Sequence, residues 1–151
     1  TNAPELYRFM PCPKVADIVP GLGGLSGIHA ALRHAGTEHV FVVACDMPSV
    51  GGDLVRCMVA MREGHDAVVP ESGSGLEPLC AVYGKGALPA IEEALGAGCG
   101  KVVSILPKVR VKIFSRDEVS LVDPGFLSFR NINTPDDYYA LREGDGGKAA
   151  P

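Results

Sequence analysis

Asp46 closes an almost wholly apolar run, Val40 to Cys45, and is followed at once by Met47 and Pro48. A carboxylate at the end of a buried strand needs a partner for its charge, and an oxygen-preferring divalent cation such as magnesium is a natural one. Met47 and Pro48 would bend the chain outward and leave the carboxylate at the edge of a sheet. A turn-forming or helix-initiating aspartate is the other reading of that position. Upstream, "PGLGGLSG" offers backbone N–H groups without side-chain bulk, followed directly by a helix start. Both features suit an anion or a flat base lying close to the backbone, although a mobile loop has the same composition. No Gly-Lys-Ser/Thr follows, so it is not a Walker A loop. Downstream, Asn131 and Asn133 straddle Ile132, and in an extended segment they project to one side. Two amides on one side can read a polar heterocycle or a phosphate, or can bond their own turn. "GLEPLCAVY" sets Glu77 and Pro78 ahead of an apolar strand and by itself reads as a loop entering it.

These residues need elements to position them. The spacing predicts a short helix over Glu5 to Phe9 and a strand over Lys14 to Val19. A helix follows, with Ser26 as its N-cap, Ile28, Ala31, Leu32 and Ala35 on one face, and Gly36 as its stop. Val40 to Cys45 is apolar on both faces and reads as a strand of a parallel sheet covered on both sides. Gly52 to Glu63 is helical, with Leu54, Val55, Met58 and Met61 inward and Gly64 ending it. Strands are expected over Asp66 to Pro70, Pro78 to Tyr83 and Val109 to Phe114, with "ESGSG" as a flexible loop. Residues 86–97 and 101–106 are helical by period, the second ended by Pro107. Thr134 caps a last helix that has Pro135 at its first position and Asp136 and Asp137 at its positive end. Alternating strands and helices of this kind make an open α/β sheet, mostly parallel, with ligand sites at the carboxyl ends of its strands. The domain is expected over residues 1–143, with a disordered tail over 144–151.

Composition narrows the function. The 151 residues suffice for one domain with one core. A net charge of −4 argues against nucleic acid as the main partner, without excluding a nucleotide, which needs only a local site. No apolar run spans a bilayer and no signal peptide is visible. Cys12, Cys45, Cys57, Cys80 and Cys99 are scattered, with no C-x-x-C pair, which points to free thiols in a reducing cytoplasm.

The order of five segments carries more than each one alone. "PGLGGLSGIHAAL", "FVVACDMP", "DAVVP", "GLEPLCAVY" and "FRNINTPDDY" together resemble the molybdenum cofactor guanylyltransferases, within the broader nucleotidyltransferase family with a Rossmann-like sheet. The resemblance runs from Thr1 to about Leu141. It implies that the terminal phosphate of molybdopterin attacks the α-phosphate of GTP, giving a guanine dinucleotide cofactor and pyrophosphate. It implies Asp46 as the catalytic ligand of Mg2+, with Asp17 near the guanine and ribose and Asn2 near the nucleotide. Gly23 and Gly27 match the glycines of the family's G-P-L-A-G loop, here G-G-L-S-G, and Asn131 and Asn133 match the asparagines of the pterin side. The segment N-I-N-T-P, where cytidylyltransferases carry a D-I-D-T-P-like one, favours guanine. Implied partners are GTP, molybdopterin, and molybdoenzymes or cofactor carriers. A cytidylyltransferase or sugar-phosphate nucleotidyltransferase is the alternative enzyme, and a non-catalytic nucleotide- or pterin-binding module the alternative outside catalysis.

One departure stands against these matches. The family's opening L-A-G-G-x-S-x-R-M-G-x-D-K, whose backbone and cations hold the phosphates, has no counterpart here. The expectation is a partial domain of a longer chain, lacking the first strand–helix–strand unit. One edge of Val40 to Cys45 is then left unpaired.

Overall fold

A computed structural model describes residues 1–144. The tail expected from Gly144 onward lies outside the described residues, apart from Gly144 itself, which closes the last helix.

Alternating side chains on two central strands build both halves of the core. On β2 (Ala67–Ser72) and β4 (Cys80–Gly84), Ala67, Val69, Ala81 and Tyr83 face one way, and Val68, Cys80 and Val82 the other. The first set is covered by α1 (Gly23–His34) and α3 (Leu88–Gly96) through Leu25, Ile28, Leu32, Ile91 and Leu95. The second is covered by α2 (Gly52–Ala60) and α4 (Arg116–Ser120) through Leu54, Met58 and Val119. Each fully buried Leu or Ile contributes roughly 1.5–3 kcal/mol. The two periods, two in strands and near 3.6 in helices, thus yield the expected α/β sheet with helices on both faces. Glu92 of α3 also clamps α1, accepting from Arg33 Nε at 2.9 Å with His29 Nε2 at 3.0 Å. No helix among the described residues is long and apolar enough to cross a membrane, and all five cysteines are free.

The remaining strands are β1 (His39–Val43), β3 (Gly75–Leu76) and β5 (Val111–Phe114). β4 lies between β1 and β2 and is antiparallel to both, with Val43 opposite Cys80 and Val68 opposite Val82. β5 runs parallel to β2, Pro70 opposite Phe114. β1, β2 and β5 therefore share one direction, as a mostly parallel sheet requires, and β4 is a reversed strand inserted between two of them. The sheet is mixed for a covalent reason. β2 turns back through β3 in a tight hairpin, with Ser72 opposite Gly75, and the short link to β4 leaves no room for the dozen or more residues of a parallel crossover. "ESGSG" is that hairpin rather than a flexible loop. β1 has one neighbour among the described residues, so its outer edge is unpaired. Its residues are only half-buried and Val43 is 44% exposed, which corrects the expectation of burial on both faces.

Other boundaries moved for local reasons. Residues 14–19 form no strand, because an extended segment needs a neighbouring ladder and none pairs with it. Ser26 does not cap α1. The helix starts at Gly23, and buried Ser26 instead donates from Oγ to Val19 O at 2.6 Å. Residues 101–106 are not an α-helix but part of a 3-10 segment, Val102–Lys108, which carries Pro107 inside it. The first helix is likewise a single 3-10 turn, Pro4–Tyr7. α4 went unread although its capping box is plain in the sequence: Ser115 caps Glu118, and Glu118 Oε2 accepts from Ser115 N at 2.8 Å.

Just ahead of β2, Asp66 is held by Arg110 in a two-pronged pair, Nε to Oδ2 at 3.0 Å and Nη2 to Oδ1 at 2.8 Å. The Arg110 side-chain hydrogen bond holds the Asp66 carboxyl below the usual aspartate range, against the opposing effect of burial. A lowered folded-state value means stability that is present above the ordinary aspartate range and is lost as pH falls through the folded value. Urea midpoints of the native protein should fall more steeply from about pH 5 to pH 2 than those of Asp66→Asn. Parallel curves would show that the pair contributes nothing to acid stability.

Candidate functional site

Strand directions gather the chemistry at one end of the sheet. The carboxyl ends of β1, β2 and β5 and the start of β4 all lie there, the crevice end of an open α/β sheet. Just past β1, Ala44 N–H donates to Leu79 O at 2.8 Å, and Met47 N–H returns to Ala44 O at 3.2 Å. Met47 is buried in the second half of the core, which anchors the turn that presents Asp46. The Asp46 carbonyl accepts from Ile132 N–H at 2.8 Å. Its half-buried carboxylate has no hydrogen bond or ion pair among the described residues.

That one backbone bond joins Asp46 to the asparagine pair. Ile132 is half-buried, and Asn131 and Asn133 stand exposed on either side of it. The local turn is served by other groups. Asp137 Oδ2 accepts from Asn133 N at 3.1 Å and Thr134 N at 2.9 Å, while Asp137 N donates to Thr134 Oγ1 at 3.1 Å. Thr134 is thus the expected cap of α5 (Pro135–Gly144), and its hydrogen bond is the first cause holding the Asp137 carboxyl below its usual range. The carboxamides of Asn131 and Asn133 make no hydrogen bond among the described residues, so the turn does not consume them. Pro48, Ser49, Asn131 and Ile132 line a small shared cleft.

The glycine-rich loop is seated, not loose. Gly21 and Gly23 have φ of +86° and +63°, a region where side chains are strained. A Cβ on Gly24 would lie 2.8 Å from Leu79 Cδ2, and one on Gly100 only 2.1 Å from Leu22 O. The loop therefore touches Leu79, at the entry to β4 and bonded to Ala44 just ahead of the Asp46 turn, on one side, and Gly100 on the other. Gly27 is exposed in the first turns of α1, with open space where a side chain would go. Lys101 follows Gly100 and is exposed beside this loop, a cation that the sequence reading passed over. Only the tight approach of Gly100 to Leu22 betrays its position.

Asn2 and Asp17 find each other: Asn2 Nδ2 donates to Asp17 Oδ2 and Asp17 N to Asn2 Oδ1, both at 2.9 Å. Val19, two residues on, is tied to α1 through Ser26. The predicted residues thus form two groups, Asn2 with Asp17 and Asp46 with Asn131 and Asn133. No hydrogen bond among the described residues links the two groups; the glycine loop, through Leu79, is the element that stands next to the second.

The donor set limits the cation chemistry. Among the described residues no group of three or more His, Cys, Asp or Glu can hold a metal. Asp46 is then a single hard oxygen donor, which fits an ion that keeps several waters and substrate oxygens. At the start of β4, burial, then Glu77 and Asp123, push the Cys80 thiol up to about 12 and disfavour its thiolate.

Residues 1–111 match the MobA-like NTP transferase domain. The chain belongs to that family. It is 44% identical over 128 residues to a Pelotomaculum thermopropionicum protein named "Probable molybdenum cofactor guanylyltransferase", covering 85% of this chain and 62% of the relative. It is 38% identical over 137 residues to a molybdenum cofactor guanylyltransferase of Desulfosudis oleivorans, covering 90% of this chain and 68% of that one. Molybdopterin-guanine dinucleotide biosynthesis protein A of Archaeoglobus fulgidus superposes with a TM-score of 0.80 at 33% identity, over 94% of this chain and 72% of that structure. The MobA-like chain described here thus spans between three-fifths and three-quarters of the length of these relatives.

Proposed function

We propose that this MobA-like domain serves the transfer of GMP from GTP to the terminal phosphate of molybdopterin, releasing pyrophosphate. The observation that carries the reading is the Ile132 N–H to Asp46 O bond at 2.8 Å, which sets the segment of two carboxamides, unbonded among the described residues, beside a carboxylate likewise unbonded among them, at the carboxyl end of the sheet. Asp46 would hold Mg2+, which would supply neutralisation of the charge that develops on the phosphates. The N–H groups around Gly23 and the first turn of α1 meet phosphate, and the Lys101 ammonium adds charge balance next to them. Asn131 and Asn133 orient the pterin substrate so that its phosphate lies in line with the α-phosphate. Asp17, its geometry fixed by Asn2, retains acceptor capacity for ribose hydroxyls or the guanine edge. Family membership and the relatives' names support the same reaction, and the N-I-N-T-P segment supports guanine over cytosine.

Asn131→Ala combined with Asn133→Ala tests the assignment. Calorimetry on the full-length protein should show molybdopterin affinity reduced about 10-fold or more, with GTP affinity nearly unchanged. A fall in GTP affinity instead would move these residues to the nucleotide. Product analysis with GTP and CTP in parallel decides the base: a cytosine dinucleotide as main product would overturn the guanylyl reading.

A further inference from the structure

Glu77 is a carboxylate that the roles above leave unused, and its surroundings are those of a recognition group. It enters β4 at the same end of the sheet as the Asp46 turn, with its N–H bonded to Pro70 O at 2.9 Å and its carbonyl accepting from Cys80 N at 3.0 Å. Ser72, only 5% exposed, donates from Oγ to Glu77 Oε1 at 2.5 Å, and Ser74 N in turn donates to Ser72 Oγ at 3.0 Å. The side chain is half-buried and fixed, and among the described residues it has no ion-pair partner. A held, half-buried carboxylate without a cation keeps acceptor positions that a ligand donor can take from water. One serine hydroxyl uses one of about four acceptor positions on the two oxygens.

An uncompensated carboxylate repels phosphate, so the ligand group that meets Glu77 is a neutral donor. The guanine of GTP and the pterin of molybdopterin carry the same one: a ring N–H beside an exocyclic amino group, two parallel donors matched to the two oxygens of a carboxylate. We propose that Glu77 recognises this 2-amino-4-oxopyrimidine edge, with Ser72 as the positioning residue that aims it. The inference rests on the functional reading above for the identity of the two substrates. Either of them can supply the edge, and the experiment separates them.

Binding to the full-length protein is measured for two pairs of probes: GTP against ITP, which lacks the amino group, and 6-hydroxymethylpterin against 6-hydroxymethyl-lumazine, where oxygen replaces it. The native protein should prefer the amino-bearing member of at least one pair by about 10- to 100-fold, the range of a charge-assisted hydrogen bond. Glu77→Gln, which turns a donor toward the ligand's amino group, should abolish that preference, and Ser72→Ala should weaken it. Loss in the GTP/ITP pair assigns the edge to guanine, and loss in the pterin/lumazine pair assigns it to pterin. A preference that survives in Glu77→Gln, or a native protein without preference in either pair, overturns the inference. Guanylyl transfer measured on the same preparations keeps the two readings apart. Intact transfer with unchanged discrimination in Glu77→Gln sinks only the role of Glu77, whereas discrimination that Glu77→Gln abolishes, in a native protein without transfer, supports Glu77 and sinks the reaction.

Discussion

Replacing Asp46 by asparagine is expected to lower magnesium-dependent GMP transfer about 10²-fold or more while the fold survives. The fold survives because the Asp46 side chain contributes no hydrogen bond or ion pair among the described residues. The bond from Ile132 goes to its backbone carbonyl at 2.8 Å and is kept in the variant. A substitution of this kind, nearly isosteric and away from protein partners, usually changes stability by no more than about 0.5 kcal/mol. Activity falls because a neutral amide oxygen is a weak ligand for a hard dication, and among the described residues no group of three or more His, Cys, Asp or Glu offers another metal site. The measurement is turnover against magnesium concentration, with thermal melts of both proteins alongside. The apparent magnesium requirement should rise as turnover falls. Near-normal turnover at low magnesium would remove Asp46 from the metal.

How much of this was legible in the sequence depended on whether a residue's role is local. Asp46 could be read because an apolar run that ends on a carboxylate and a proline is a statement about one strand end. The exposure of Asn131 and Asn133 on either side of half-buried Ile132 follows from alternation across an extended segment. The helices over Ile28 and Leu32, and over Leu54 and Met58, followed from period alone. What failed needed a neighbour. Lys14 to Val19 has strand-like composition but no partner strand, so it makes no ladder. The direction of β4 depended on recognising that "ESGSG" turns back on itself, which composition does not separate from a flexible link. Residues 101–106 are apolar at helical spacing, yet Pro107 is accommodated in a 3-10 segment packed on α3 through Val102 and Ile105. The capping box of Ser115 and Glu118 is plain in the sequence and lies just past the strand expected over Val109 to Phe114, where no helix was expected. Lys101 is the instructive omission: a lone lysine after "GAGCG" says nothing until Gly100 is seen against Leu22.

That approach supports the second large effect. Gly100→Ala is expected to lower guanylyl transfer about 10²-fold, the loss that a displacement of about 1 Å can cause at a reacting centre. The added Cβ would lie 2.1 Å from Leu22 O and 2.7 Å from Leu22 C, backbone atoms that cannot swing aside as a side chain can. Either the Leu22 peptide or the Gly100 segment must move, and both carry groups of the site. Leu22 leads into the N–H groups at the start of α1, between Gly21 and Gly23 in their left-handed conformations, and Gly100 leads into Lys101. The strain should also cost about 1–3 kcal/mol of stability, the usual range for overpacking. Gly96→Ala is the matched control, because it lies at the end of α3 with nothing within 4 Å of a new Cβ. That substitution should leave transfer unchanged and stabilise the helix by up to about 1 kcal/mol. Steady-state kinetics and thermal melts on both variants separate the two consequences. If Gly100→Ala loses stability but transfers GMP at the native rate, the loop is a packing device and the phosphates lie elsewhere. If it keeps its melting temperature and loses transfer, the contact between Leu22 and Gly100 sets the geometry of the site rather than the stability of the fold.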